Sequence, residues 1–222
     1  MNGQLNGIVR QRLTAPRAAG VAGILFALLF GTSIVLMRAA LDHHTDSATV
    51  WTSPEAVQIR FALGLMPYAG IAFLWFIGVI RDRLGELEDK FFATVFFGSG
   101  LVFIAMIFAS SAIAGGILAA AQQLDANSAF EVTTFARAEM LEITNVYALR
   151  MAGVFMISLG TVWLRTKLMA RWTVALTYIL ALSLLLMINL SLWVQLIFPA
   201  WTLLISVVIL IRSSRSEMHL TD

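Results

Sequence analysis

The sequence predicts an all-α, polytopic membrane bundle of six transmembrane helices, one domain over residues 1–222, with both termini cytoplasmic. Three observations predict it. The chain is 59% hydrophobic and only 13% charged, with a mean hydropathy of +0.85, whereas soluble domains carry about 25% charged residues. Uncharged runs of membrane-crossing length recur along it. Lys and Arg gather at alternate ends of those runs. A water-soluble fold of this size cannot hide so large an apolar fraction, so hydrocarbon is the solvent for most side chains.

A hydrocarbon core of ~30 Å needs about 20 helical residues. The first helix, about 18–40, is built on the uncharged run between Arg17 and Arg38, and the second, 58–80, on that between Arg60 and Arg81. The third, 91–121, follows Lys90 and stays uncharged until Asp125. It exceeds the length of one crossing, so it either projects beyond the outer surface or bends at Gly115-Gly116. The fourth, 145–165, must include Arg150, because Met151 to Leu164 is too short to span alone. Trp172 to Ile211 carries no charge and suits two crossings, 172–189 and 192–211, joined by a tight turn around Asn189 and Ser191. The apolar run after Arg10, Arg12 and Arg17 exceeds the usual 7–15 residues of a signal peptide, so the first helix is read as retained.

Orientation follows the positive-inside rule. Arg10, Arg12, Arg17, Arg81, Arg83, Lys90, Arg165, Lys167, Arg171, Arg212 and Arg215 fall on the proposed inside, against Arg38, Arg60, Arg137 and Arg150 outside. Trp163 and Trp172 are expected at the inner interface, with Trp51 and Trp193 at the outer one. The outer segments are 41–58 and 124–144. In the second, Ser128 followed by Glu131 fits a capping box, and a helix begun there can run straight into the fourth crossing. Pro67 and Pro199 are expected to bend their helices. Small-residue stripes, Ala19-Gly23-Ala27-Gly31 and Ala105-Ala109-Ala112-Gly116-Ala119, are read as intramolecular packing surfaces, with a dimer seam as the alternative.

Candidate chemistry is sparse. Arg150 sits about 8 Å below the outer end of its helix at 1.5 Å per residue. A buried guanidinium requires a partner, expected from another element: Asp42, Asp46, Glu55, Asp125 or Glu131. With Arg60 at the outer lip of the second helix, Arg150 suggests a site for an anionic head group; the plainer reading is that both snorkel or tie down loops. Arg38 and Asp42, four apart, make a structural ion pair. Asp42-His43-His44 with Asp46 reads as a solvated loop rather than a metal site, since adjacent histidines of an extended segment point apart. Glu139 and Glu142 read as a wet acidic face rather than a paired-carboxylate centre. No catalytic, metal or cofactor residues are assigned.

Absences exclude more. No Asp, Glu, His or Lys lies in the six apolar cores, which argues against proton relays, retinal Schiff bases and haem held by axial histidines. There are no cysteines, hence no disulfides or thiolate centres. A net charge of +2 without basic runs gives no nucleic-acid surface. The neutral polar residues Thr32, Ser33, Tyr68, Ser110, Ser111, Ser158, Thr161 and Thr177 are expected to bond one turn back or bridge helices. An inverted three-helix repeat is topologically allowed, but Gly23-to-Arg38 and Gly153-to-Arg165 share only a loose Gly, Gly-Thr, Arg order.

Gly23-Ile24-Leu25-Phe26 with Phe30-Gly31-Thr32, and Leu159-Gly160 through Arg165, give a layout that resembles uncharacterised bacterial six-helix integral membrane proteins. The resemblance implies an envelope protein and carries over no functional residues. The expectation is a non-catalytic accessory subunit or a lipid- or amphiphile-binding bundle of a bacterial cytoplasmic membrane. Its partners would be membrane lipid and a second copy or a larger membrane complex. Alternatives are a channel or uncoupled transporter formed by an oligomer and, third, an outer-surface membrane enzyme.

Overall fold

The computed structural model describes residues 2–42, 49–84, 90–186 and 192–218, and all secondary structure there is helical. The α-helices are α1 (Asn2–Asp42), α2 (Ala56–Leu84), α3 (Lys90–Gln123), α4 (Ala126–Glu142), α5 (Leu149–Thr166), α6 (Arg171–Leu186) and α7 (Ile197–Met218). One π-helical segment, Ile143–Ala148, joins α4 to α5, and a 3-10 turn, Leu192–Leu196, leads into α7. Among the described residues, five segments are long and apolar enough to cross a membrane: Arg17–Leu41, Ala56–Asp82, Phe91–Gln123, Ser128–Thr166 and Trp193–Ser213. The chain is therefore a membrane-type helical bundle.

The sixth helix, α6, has only 16 residues, about 24 Å. Its neighbours fix its direction. Gln195 donates to the Asn145 side chain across 2.7 Å, just before α5 begins. Arg212 donates to the Leu168 carbonyl, just after α5 ends. The chain between Thr166 and Leu192 must then travel the length of α5, so α6 is antiparallel to it. The turn expected at Asn189 and Ser191 lies outside the described residues.

One end of the bundle is basic. Arg81 lies over the Phe97 ring at 4.1 Å and Arg165 over Phe92 at 4.7 Å, contacts in which the ring face attracts the cation. α5 stops at that end with Lys167 in the left-handed conformation, φ 54°, a terminating geometry more often given to glycine.

At the centre, rings from five helices converge. Phe73 of α2 meets Phe26 of α1 (4.7 Å between centroids), Phe103 of α3 (5.4 Å), Phe155 of α5 (5.4 Å) and Phe198 of α7 (5.8 Å). The axis is filled with side chains. Other large apolar groups, such as Trp75 (69% exposed) and Ile179 (65% exposed), point outward, as side chains facing lipid do.

The small-residue stripe of α1 packs as expected. A methyl on Gly23 would strike Ser206 and Phe76, and one on Gly20 would come within 2.7 Å of Leu210. The stripe on α3 does not. Ala105, Ala109, Ala112, Gly116 and Ala119 are all exposed, because α3 turns its bulkier face, Phe103, Ile107, Ala114 and Ile117, to its neighbours. α3 continues as one helix of 34 residues through Gly115-Gly116, longer than a single crossing requires, as expected.

Other expectations need correction. The cap of α4 is Asp125, whose extended backbone (ψ 160°) lets its carboxylate accept from the Ser128 backbone N–H at 3.1 Å. Ser128 therefore sits inside the helix and donates its hydroxyl to that cap. Pro199 falls in the first turn of α7, where its missing N–H would have had no helical partner; of these two prolines, Pro67 is the interior one. Trp51 and Trp163 are buried against neighbouring elements, so only Trp172 and Trp193 have the exposure an interfacial belt requires. As anticipated, α4 continues through the π segment into α5.

Gly23→Ala should cost about 1–3 kcal/mol by overpacking. Gly115→Ala, which meets nothing within 4 Å, should be neutral or stabilising by up to ~1 kcal/mol. Thermal denaturation of the detergent-solubilised protein checks both; equal effects would refute the packing described.

Candidate functional site

Beyond Phe30 the aromatic filling gives way to aliphatic and methionine side chains, and a cleft of about 60 Å³ remains. Its apolar walls include Phe30, Ile34, Met37, Leu63, Met66, Ile107, Met140 and Leu149. Its polar members are Arg38, Ser110, Ser111, Thr144 and Gln195. Arg38 follows Arg17 by 21 positions, about 32 Å along the axis, close to the ~30 Å hydrocarbon thickness. A bilayer with one face at Arg17 would thus have its other face at Arg38. From there to Phe30 the cleft descends about 12 Å.

The π segment forms one wall. Its bonds reach one residue further than in an α-helix, as in that from the Leu149 N–H to the Thr144 carbonyl. Such segments disturb the regular ladder and leave backbone groups to other partners. Ser110 of α3 donates to the Met140 carbonyl at 3.1 Å and lies 2.7 Å from the Thr144 hydroxyl. With the Gln195–Asn145 bond, two elements, α3 and the turn before α7, pin the π turn beside the cleft.

The arginines sort differently from expectation. Arg38 is only 5% exposed and lies on the cleft wall. Arg60 is exposed, and neither it nor Arg150 is among the lining residues. Among the described residues Arg150 meets no carboxylate from another element; it folds back to donate to the Val146 carbonyl at 3.0 Å. The reason is local: the π turn supplies a backbone acceptor within reach, where the sequence offered only Val146 and Tyr147 side chains. The Arg38–Asp42 pair cannot be followed, since the Asp42 side chain lies outside the described residues, as do His43, His44, Asp46 and His219. Glu139 and Glu142 are both exposed on α4. Among the described residues there is no cluster of three metal-ligating side chains.

Several of the neutral polar groups bond as anticipated. Ser33 bridges to the Ala62 carbonyl at 2.6 Å, while Ser111, Thr161 and Thr177 each bond one turn back. Sequence reasoning passed over Gln195 and Asn145. An amide inside a forty-residue uncharged stretch was the available signal for Gln195.

No family model matches the chain, and no curated protein or solved structure matches it either. The site must be read from its own chemistry.

Ser110→Ala removes the cross-helix donor to Met140. It should cost about 0.6–1.7 kcal/mol, the range of interhelical hydrogen bonds in membranes. Hydrogen exchange should quicken over 143–149 and not over the centre of α2; unchanged protection there would dismiss the pinning role.

Proposed function

We propose that the chain is a non-catalytic membrane bundle that binds an anionic amphiphile, with the anionic group at Arg38 and the adjoining carbons in the cleft. The observation that carries this is a nearly buried guanidinium on the wall of a mostly apolar cleft, at the depth expected of a bilayer face when Arg17 marks the other. A guanidinium offers five donors in a planar fork suited to phosphate or carboxylate. The methionines lining the cleft are unbranched and adaptable, which suits a small group that enters beside Arg38. Arg60 and Arg150, the sequence-level candidates, are secondary in this reading.

Size limits what enters. A volume of about 60 Å³ is well below the ~150 Å³ that holds benzene in an engineered cavity. A whole acyl chain is excluded, and the ligand tail lies in the surrounding bilayer. The same bundle suits an accessory subunit that holds lipid against a partner. A channel is less favoured: rings fill the axis of one copy, so a conducting path would have to form between copies.

We assign six crossings with both termini cytoplasmic, in a bacterial inner membrane. The support is the basic end shared by Arg81, Arg165 and Arg212 together with the positive-inside rule.

Two measurements test this. In native mass spectra of protein extracted from its membrane, Arg38→Gln should lose most co-purifying anionic lipid, while Arg60→Gln and Arg137→Gln keep it. If all three behave alike, the Arg38 site is wrong. The cysteine-free chain also permits single-cysteine labelling: Glu131→Cys should react with an impermeant maleimide in intact cells and Lys167→Cys only after lysis. The reverse pattern would invert the topology.

A further inference from the structure

The second polar feature of the cleft is Gln195. Its side chain is 7% exposed and is held by one bond, from its amide nitrogen to the Asn145 oxygen. Asn145 itself belongs to the π segment, which Ser110 pins from α3. The Gln195 amide is therefore fixed in place on the cleft wall, close to α1, which its 3-10 turn touches. A primary amide carries two donors and a carbonyl with two lone pairs. One donor is used on Asn145; the remaining capacity belongs to a group that borders the cleft.

Methylenes alone are a poor match for such a group, since a desolvated amide is unfavourable without hydrogen bonds. A second guanidinium-directed anion does not suit it either, because it would meet the amide oxygen as well as the N–H. A hydroxyl suits both, accepting from the N–H and donating to the oxygen. Ser111 adds another acceptor: its proton goes to the Ile107 carbonyl at 2.8 Å, leaving its lone pairs. The cleft thus combines an anion-binding guanidinium with a hydroxyl-reading amide in a space too small for a chain.

We propose that the cleft selects an anionic amphiphile whose polar part also carries a hydroxyl, with Gln195 exchanging hydrogen bonds with that hydroxyl. The chemistry is that of a phosphodiester whose head ends in a hydroxymethyl group, of which only the hydroxyl and its carbon enter a space of about 60 Å³. It rests on the amphiphile reading above and adds the ligand class. Gln195 is a specificity residue in it, while Arg38 supplies affinity for charge.

The test uses the full-length protein in nanodiscs and three lipids of identical chains: phosphatidylglycerol (anion and hydroxyls), phosphatidylmethanol (anion, no hydroxyl) and phosphatidylcholine (no net charge). Bound lipid is counted by native mass spectrometry. Wild type should favour the glycerol over the methanol head roughly two- to tenfold, the range of a net hydrogen bond, and both anions over choline. In Gln195→Met the glycerol preference should fall to unity while the preference for anions persists, which also reports an intact site. A wild type that ranks the two anions equally overturns the hydroxyl proposal and leaves the amphiphile reading standing, without recourse to any variant. Loss of all anion preference in wild type overturns both. Soluble glycerol phosphate in excess should not displace the lipid; displacement would assign the site to a free solute and defeat the lipid assignment.

Discussion

The bundle depends on shape-matched contact at its centre, because lipid removes the usual alternative. In water, apolar side chains associate to escape the solvent; in hydrocarbon that incentive between helices is gone, and close packing with interhelical hydrogen bonds takes over. Phe73 makes this concrete. It touches rings from α1, α3, α5 and α7 at centroid separations of 4.7–5.8 Å. Offset and edge-on ring pairs at such distances are favourable beyond simple area. The same closeness requires Gly20 and Gly23 on α1, where any side chain would meet α7 or α2.

The character of the half of the bundle that holds the cleft follows from where this packing stops. Phe30 is stacked on Phe26 and also borders the cleft, so it marks the boundary. Beyond it, Ile34, Met37, Met66, Ile107 and Met140 replace rings with thinner side chains. They leave room that a regular α4–α5 helix would not be expected to line so unevenly. The π segment is the compensating feature: it changes the helical register between α4 and α5 and presents Thr144 to the cleft and Asn145 to Gln195. Its irregular backbone is secured by side chains from α3 and from the turn before α7.

Many hydroxyls within the bundle bond to their own helix, and a few reach a neighbour instead. Thr202 returns to the Phe198 carbonyl at 2.9 Å. Thr177 bonds back to Thr173 and also accepts from the Trp201 ring N–H at 2.9 Å, tying α6 to α7. Ser33 crosses from α1 to α2. The polar cluster around the π turn gathers three such ties, Ser110 to Met140 and Thr144 and Gln195 to Asn145.

Some of this was fixed by composition and charge spacing alone. The solvent, the helical class, the approximate limits of the long helices and the basic end all follow from apolar run length and from Lys and Arg that cannot enter hydrocarbon. Facing could not be read in the same way. The two small-residue stripes look alike in sequence, yet one is packed against α7 and the other is exposed, because the bulk on the opposite face of α3 decided the matter. Trp51 and Trp163 were assigned by depth, which says nothing about rotation around the helix axis. Arg150 found a backbone carbonyl, since a π turn leaves no mark in residue type or spacing. The cleft itself, with Arg38 and Gln195 drawn from positions 157 residues apart in sequence, belongs wholly to tertiary structure: only packing brings the end of α1 and the approach to α7 to a common space.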